Sequence, residues 1–157
     1  MTRKNILIVD DDKIQLVNAD VILRNDFTLV AAESGIQALD YLSQGLAPDL
    51  ILLDLLMPEM DGFETYSRIR EIKPMKDIPI IFLTSVSDED KIEQALAMGA
   101  ADYIVKPYSK KNLLSRIQNT IINYEYMKSK KASHKAESQN EGGCRDFPPP
   151  GCGPLPE

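Results

Sequence analysis

The sequence predicts an α/β fold, in which five parallel strands form one doubly wound sheet with helices on both faces. Short apolar runs alternate along the chain with longer stretches of helical period, and turn residues such as Gly45, Pro48 and Pro74 separate the two kinds of segment. Crossovers between parallel strands are right-handed and carry the helices onto both sides of the sheet. We expect this domain to cover about residues 3–127.

The predicted strands are short runs in which nearly every residue is apolar, as expected for a sheet that is buried on both faces. They are Ile6–Val9, Leu29–Ala32, Leu50–Leu53, Ile80–Leu83 and Tyr103–Val105.

The segments between the strands have apolar residues three or four positions apart, which is the period of a helix with one buried face. The predicted helices are Ile14–Arg24, Ile36–Leu42, Phe63–Ile72, Ile92–Met98 and Leu113–Tyr124. The side chains expected to face the core are Ile14, Val17 and Val21 in the first helix, with Leu16 and Leu23 as further candidates, and Ile36, Leu39 and Leu42 in the second. Asp12, Ser87 and Ser109 are predicted N-caps, and Asp61-Gly62 is predicted to form a turn in which Gly62 takes a positive φ.

The composition changes after Met127. Residues 128–157 are polar at first and then rich in Gly and Pro, so they have little to bury and are expected to be disordered. Lys128–Gln139 still has a composition that a helix tolerates, so the fifth helix can continue into it. Cys144 and Cys152 lack a second Cys/His pair that would complete a metal site, and we interpret them as incidental thiols.

The charge balance limits the function classes. The chain has 18 basic and 24 acidic residues and a net charge of −6, which disfavours nonspecific binding to nucleic acid. The sequence begins without the apolar core of a signal peptide, and no run approaches the roughly 20 apolar residues of a membrane span. A soluble cytoplasmic protein is therefore expected.

Polar residues that can carry chemistry follow four of the five predicted strands. They are Asp10-Asp11-Asp12 after the first, Asp54 after the third, Thr84-Ser85 after the fourth and Lys106-Pro107 after the fifth. In an open α/β sheet, ligands bind outside the carboxyl ends of the strands. The second strand ends in Ala31-Ala32-Glu33 without such a cluster, which fits the strand order 2-1-3-4-5 with the second strand at an edge.

Several carboxylates in one pocket repel one another unless positive charge lies among them. Hard oxygen ligands suit Mg²⁺, which usually takes one or two carboxylates together with a phosphate oxygen. Lys106 adds a second positive group and Thr84 adds a hydroxyl, so the set can receive a phosphoryl group in transfer. Asp54 is then placed to act as the nucleophile.

The segments ILIVDDDKIQL, DLILLDLLMPEMDGFE, PIIFLTS and GAADYIVKPYS, in this order and spacing, closely resemble the CheY-like receiver domain of two-component response regulators. The resemblance covers about residues 4–125. It implies a flavodoxin-like (βα)5 fold and a phosphorylation-dependent signalling switch rather than an enzyme. The implied phosphoacceptor is Asp54, and the implied acidic pair is Asp10 and Asp11.

The resemblance also assigns roles around Asp54. Asp11 and Asp54 would bind Mg²⁺ directly with the backbone carbonyl of Leu56, and Asp10 would bind it through water. Lys106 would pair with the phosphoryl group and would precede a cis peptide bond to Pro107. The implied switch residues are Thr84 and Tyr103. Leu56 and Val86, which vary in the family, are apolar here and favour a long-lived phosphoaspartate.

The partners implied are a sensor histidine kinase or phosphotransfer protein as donor, and an output partner or domain that binds through the fourth helix, fifth strand and fifth helix. A homodimer stays open, as does the question whether this receiver stands alone or begins a longer protein. An alternative function is a Mg²⁺-dependent phosphohydrolase with an aspartyl-phosphate intermediate. Such an enzyme needs a general acid two residues after its nucleophile, where this chain has Leu56. A receiver that has lost its switch is disfavoured by the intact set of site residues.

Overall fold

The computed structural model describes the backbone of residues 4–84 and 89–141, and the side chains of residues 4–84 and 89–129. The predictions for Val86, Ser87, Cys144 and Cys152 lie outside the described residues. The chain divides into two units between Ile121 and Ile122. The domain boundary at residue 127 and the disorder of residues 142–157 stay predictions, whereas the backbone of residues 128–141 is helical.

The five strands form one parallel sheet in the order β2-β1-β3-β4-β5, as the sequence predicts. Their bounds are β1 (Lys4–Val9), β2 (Phe27–Ala32), β3 (Leu50–Asp54), β4 (Ile80–Thr84) and β5 (Asp102–Val105). The strand β2 lies at one edge and β5 at the other. The strands β1 and β3 are hydrogen-bonded neighbours, so the chain segments that leave their carboxyl ends begin side by side.

The helices alternate with the strands. They are α1 (Lys13–Leu23), α2 (Gly35–Ser43), α3 (Gly62–Arg70), α4 (Glu89–Ala97) and α5 (Lys110–Glu141), with a short 3-10 helix at Lys73–Met75. The helix α3 ends before Ile72, two residues earlier than predicted, and α5 runs further in both directions than its apolar period indicated. Among the helices of the described residues, none is long and apolar enough to cross a membrane.

Side-chain caps start four of these helices, among them α2, where the hydroxyl of Ser34 accepts a hydrogen bond from Gln37 N at 3.0 Å. The carboxylate of Asp12 accepts a hydrogen bond from the backbone N–H of Ile14 at 2.9 Å, which confirms its prediction as the cap of α1. The hydroxyl of Ser109 accepts one from Asn112 N at 3.1 Å, as predicted for α5. Asp61 caps α3 through a 2.9 Å bond from Glu64 N.

The buried side chains form one apolar cluster on each face of the sheet, because successive residues of a strand point to opposite sides. On β1, Ile6 and Ile8 belong to the cluster that includes buried residues of α1 and α5, whereas Leu7 and Val9 belong to the cluster of α2, α3 and α4. The sheet is therefore covered on both faces, and the buried polar residues Asp10, Asp54 and Thr84 lie at the carboxyl ends of its strands.

The prediction for the inner face of α1 is wrong for Ile14, Val17 and Val21, and it is confirmed for the further candidates Leu16 and Leu23. Ile14, Val17 and Val21 are 77%, 62% and 54% exposed, and the buried side chains are Leu16, Ala19 and Leu23. The two sets are two residues apart, which is about 200° around a helix, and both repeat with helical period. Periodicity alone cannot choose between such opposite stripes, and the small Ala19 allows the helix to pack closely on the sheet.

In α2 the prediction is wrong for one residue. Ile36 is exposed although it was expected in the core, and Ala38 is buried. Leu42 is buried and Leu39 is partly buried against the cluster, as predicted.

Candidate functional site

Three carboxylates meet where β1 and β3 end. One oxygen from each of Asp10, Asp11 and Asp54 lies within 4.8 Å of the others. The pairing of Val9 with Leu53 on adjacent strands brings the segments of Asp10 and Asp54 together. Asp10 is fully buried, Asp54 is 6% exposed, and Asp11 lies at the surface. The carboxyl edge of the sheet thus concentrates negative charge in a mostly buried place.

Lys106 brings a positive charge into this cluster from the end of β5. Its Nζ atom lies 2.7 Å from Asp10 Oδ2 and 3.4 Å from Asp54 Oδ1. Its backbone N–H donates to the carbonyl of Thr84 at 2.6 Å, which ties the segment to β4. The peptide bond between Lys106 and Pro107 is cis, as the resemblance implied.

The surroundings of Asp54 raise the pKa of its carboxyl group. Burial raises the pKa of Asp54 most, the ammonium of Lys106 lowers it, and the charges of Asp10 and Asp11 raise it again, to about 7 in total. A single lysine therefore does not balance the three acids. The cluster favours any further positive charge that enters it.

The donor set fits a divalent metal ion. Carboxylate oxygens are hard ligands, and a site with one or two of them and room for water and phosphate oxygens suits Mg²⁺. Asp10, Asp11 and Asp54 form the only group of three such ligands among the described residues. The backbone carbonyl of Leu56 as a further ligand stays a prediction.

The loop after Asp54 depends on the absence of a side chain at Gly62. A Cβ atom there would lie 2.5 Å from the carbonyl oxygen of Asp54 and 2.8 Å from the Cα atom of Leu55. The N–H of Gly62 donates to the Leu55 carbonyl at 2.9 Å. The predicted positive φ of Gly62 is wrong, and in the loop before Gly62 it is Glu59 that has a positive φ, of 67°. Gly62 lets the start of α3 approach the backbone beside the site.

The two predicted switch residues lie on the neighbouring strands. Thr84 is buried at the end of β4, one residue beyond Leu83, which pairs with Asp54 in the sheet. Tyr103 is half-buried on β5, and the guanidinium of Arg116 lies 5.8 Å from its ring centroid. Thr84 is therefore close to the acidic cluster in the sheet register, whereas Tyr103 belongs to the edge strand.

A cavity of about 420 Å³ opens above the carboxylates. It is lined by Asp10, Asp11, Asp12, Gln15, Asp54, Lys106 and Pro107. All but Gln15 belong to the strand-end segments that sequence reasoning selected. The sequence could have indicated Gln15 as a lining residue. It lies three residues after the helix cap Asp12, and therefore on the first turn of a helix that begins at the cluster.

Sequence reasoning also missed Tyr108. Its ring is buried in the cluster beneath α1 and α5, and its hydroxyl has no hydrogen-bond partner among the described residues. Burial raises the pKa of Tyr108 to about 12, and the charges of Asp10 and Asp54 contribute. The hydroxyl therefore stays protonated near the acidic cluster.

Comparisons with known proteins indicate one protein family for this chain. The family model described as the response regulator receiver domain matches residues 6–118. The transcriptional regulatory protein SpaR of Bacillus subtilis is 40% identical over 118 residues, which are 71% of this chain and 49% of SpaR. A protein named histidine kinase P4 of Formosa agariphila is 37% identical over 139 residues, which are 88% of this chain and 10% of that protein.

Solved structures agree with this assignment. The chemotaxis protein CheY4 of Vibrio cholerae is similar with a TM-score of 0.71 and 29% identity, over 76% of this chain and 99% of that one. The chain spans about half the length of SpaR and a tenth of the length of the kinase. The matched segment contains the acidic cluster, Thr84, Tyr103 and Lys106. The chain belongs to the response regulator receiver domain family.

Proposed function

We propose that Asp54 is the residue on which this receiver domain accepts a phosphoryl group, in a reaction that depends on Mg²⁺. The contact of Lys106 Nζ with both Asp10 and Asp54, within the cluster of three carboxylates, carries the proposal. Asp54 is the last residue of β3, the strand at the centre of the sheet, and its carboxylate lies among those of Asp10 and Asp11 and the ammonium of Lys106.

The transfer follows from ordinary chemistry at these atoms. A carboxylate oxygen of Asp54 attacks the phosphorus of a phosphohistidine, the P–N bond breaks, and the imidazole leaves with the electron pair and takes up a proton. Lys106 favours the ionised form of Asp54 before transfer and pairs with the phosphoryl oxygens after it. Asp11, Asp54 and the Leu56 carbonyl would hold Mg²⁺ directly and Asp10 would hold it through water, and the ion would neutralise charge on the phosphoryl oxygens.

The proposed donor is a sensor histidine kinase or a phosphotransfer protein, and the proposed location is the cytoplasm.

The proposed output surface is formed by α4, β5 and α5. A phosphoryl group brings about −1.5 to −2 charges and three acceptors, and Thr84 is the nearest strand-end hydroxyl that can move toward it. The resemblance suggests that Tyr103 follows into the space that Thr84 leaves. The contact of Tyr103 with Arg116 of α5 supports this, because a move of the ring would change the surface between β5 and α5.

The phosphohydrolase alternative is not favoured. Its general acid would stand two residues after Asp54, where Leu56 has an apolar side chain that is 47% exposed. We therefore propose no enzyme activity beyond self-phosphorylation from small phosphodonors and slow loss of the phosphoryl group.

Incubation with Mg²⁺ and acetyl phosphate tests the assignment of Asp54. Intact-mass measurement should find one added phosphate on the wild type and none on Asp54→Asn. Asp20→Asn is the matched control, because Asp20 is an acid of α1 whose side chain is paired with Arg24 at the surface, and it should be labelled like the wild type. Normal labelling of Asp54→Asn would show that the acceptor is another residue.

A further inference from the structure

Gln15 lies on the first turn of α1 and lines the acidic cavity beside Asp10, Asp11 and Asp54. The other lining residues are charged or proline. Among the described residues that line the cavity, Gln15 therefore supplies the only neutral side chain that can form hydrogen bonds. A carboxamide both donates and accepts, and it adds no charge to a site that is already negative.

The carboxamide of Gln15 is not engaged in a structural contact. The spacing from Asp12 to Gln15 is that of a capping box, in which the glutamine side chain would bind the backbone N–H of the capping residue. Here the N–H of Asp12 donates instead to Asp10 Oδ1 at 3.0 Å. The side chain of Gln15 is half-buried and has no hydrogen-bond partner among the described residues. Its amide is therefore available to groups inside the cavity.

We propose that Gln15 positions the water that hydrolyses the phosphoryl group on Asp54, and thereby sets how long the phosphorylated state lasts. The inference rests on the proposed function of Asp54. The water oxygen forms a bond to phosphorus, and the P–O bond to Asp54 breaks with its electron pair, which restores the carboxylate. One water proton remains on the inorganic phosphate as a hydroxyl, and the other passes to solvent.

The two ends of the amide suit this step. The carbonyl oxygen of Gln15 accepts a hydrogen bond from the attacking water, and its NH₂ group donates to a phosphoryl oxygen. A glutamine orients the attacking water in GTP hydrolysis by contacts of this kind. Leu56, two residues beyond Asp54, has only an apolar side chain to offer. Gln15 thus shortens the lifetime of the phosphoryl group on Asp54, which the apolar side chain of Leu56 would otherwise lengthen.

Decay of the acyl phosphate tests this role. The wild type, Gln15→Leu, Gln15→Ala and Asn18→Ala are phosphorylated with acetyl phosphate and Mg²⁺, the donor is removed, and the remaining phosphate is followed by intact mass. Asn18 is the control, because it is an exposed amide on the same helix that does not line the cavity. Both Gln15 variants should lengthen the half-life about 10-fold, as expected when a hydrogen bond to a charged reacting group is lost. Asn18→Ala should decay like the wild type.

The two Gln15 variants distinguish a hydrogen-bonding role of the side chain from a role in shielding the phosphoryl group from water. If the side chain only restricted the entry of water, Gln15→Ala would decay faster than the wild type while Gln15→Leu would decay more slowly, and that result would overturn the role. Decay of both variants at the wild-type rate would overturn it too, and would leave the assignment of Asp54 intact. Labelling of Asp54→Asn would instead overturn the proposed function.

Discussion

Two ion-pair sites at the sheet differ in how their charges balance. At the edge of β5, Arg116 Nη1 contacts both carboxylate oxygens of Asp102 at 2.9 and 3.0 Å and the carbonyl of Tyr103 at 3.2 Å, so one cation meets one anion. At the strand ends of β1 and β3, Lys106 is one cation among three carboxylates. The charges of the first site balance. The second site has an excess of negative charge, which protonation or a further cation reduces.

Removal of Lys106 is expected to have the largest effect of the three changes that test this contrast. Lys106→Met keeps much of the side-chain volume but leaves Asp10 and Asp54 buried without a counter-ion. Breaking a buried pair in this way destabilises a protein by about 3–5 kcal/mol. In EDTA at pH 8, urea denaturation should therefore show a loss of that order, and the loss should shrink at pH 5, where Asp54 is protonated. An equal loss at both pH values would mean that Lys106 acts through packing.

Neutralising Asp54 should act in the opposite direction. The pKa of Asp54 rises from 3.8 to about 7 on folding. Between those values the folded protein binds more protons than the unfolded chain, so metal-free stability falls as the pH rises through this window. Asp54→Asn cannot lose a proton, so it should be more stable than the wild type by on the order of 2 kcal/mol at pH 8 and about equal to it near pH 4.

The measurement is a series of thermal or urea unfolding curves in EDTA from pH 4 to 8, with Asp20→Asn as the exposed control. Mg²⁺ should stabilise the wild type more than Asp54→Asn at pH 8, because a ligand that binds the folded state alone adds to its stability. A gain in Asp54→Asn that is constant with pH would show that repulsion in the cluster is not its cause.

The site was largely predictable from the sequence because its residues follow the strands directly. Once the strand order is known, Asp10 and Asp54 must lie side by side, and Lys106 must lie at the same edge of the sheet. Thr84 follows β4 in the same way. The resemblance to a family then supplied roles that spacing alone did not.

What the sequence could not supply depends on rotation and close contact. The choice between the stripe of Ile14 and that of Leu16 on α1 is made by packing on the sheet, because both have helical period. That same rotation brings Gln15 to the cavity. The requirement for Gly62 comes from the approach of α3 to the backbone of Asp54, which no local pattern records.

Loss of Arg116 should be the smallest of the three effects. The side chains of Arg116 and Asp102 are 39% and 28% exposed, and solvent screens such a pair, so that exposed pairs contribute about 1 kcal/mol or less. Arg116→Ala should therefore lower the free energy of unfolding by no more than that. The loss should be nearly the same at pH 5 and pH 8, because the carboxylate of Asp102 loses one partner and is not placed in a cluster of carboxylates that repel it. Arg116→Lys keeps the charge but not the two-oxygen contact, and it should recover about half of the loss. A loss as large as that of Lys106→Met would mean that the β5 edge is as sensitive to charge as the acidic cluster, and the contrast between the two sites would no longer hold.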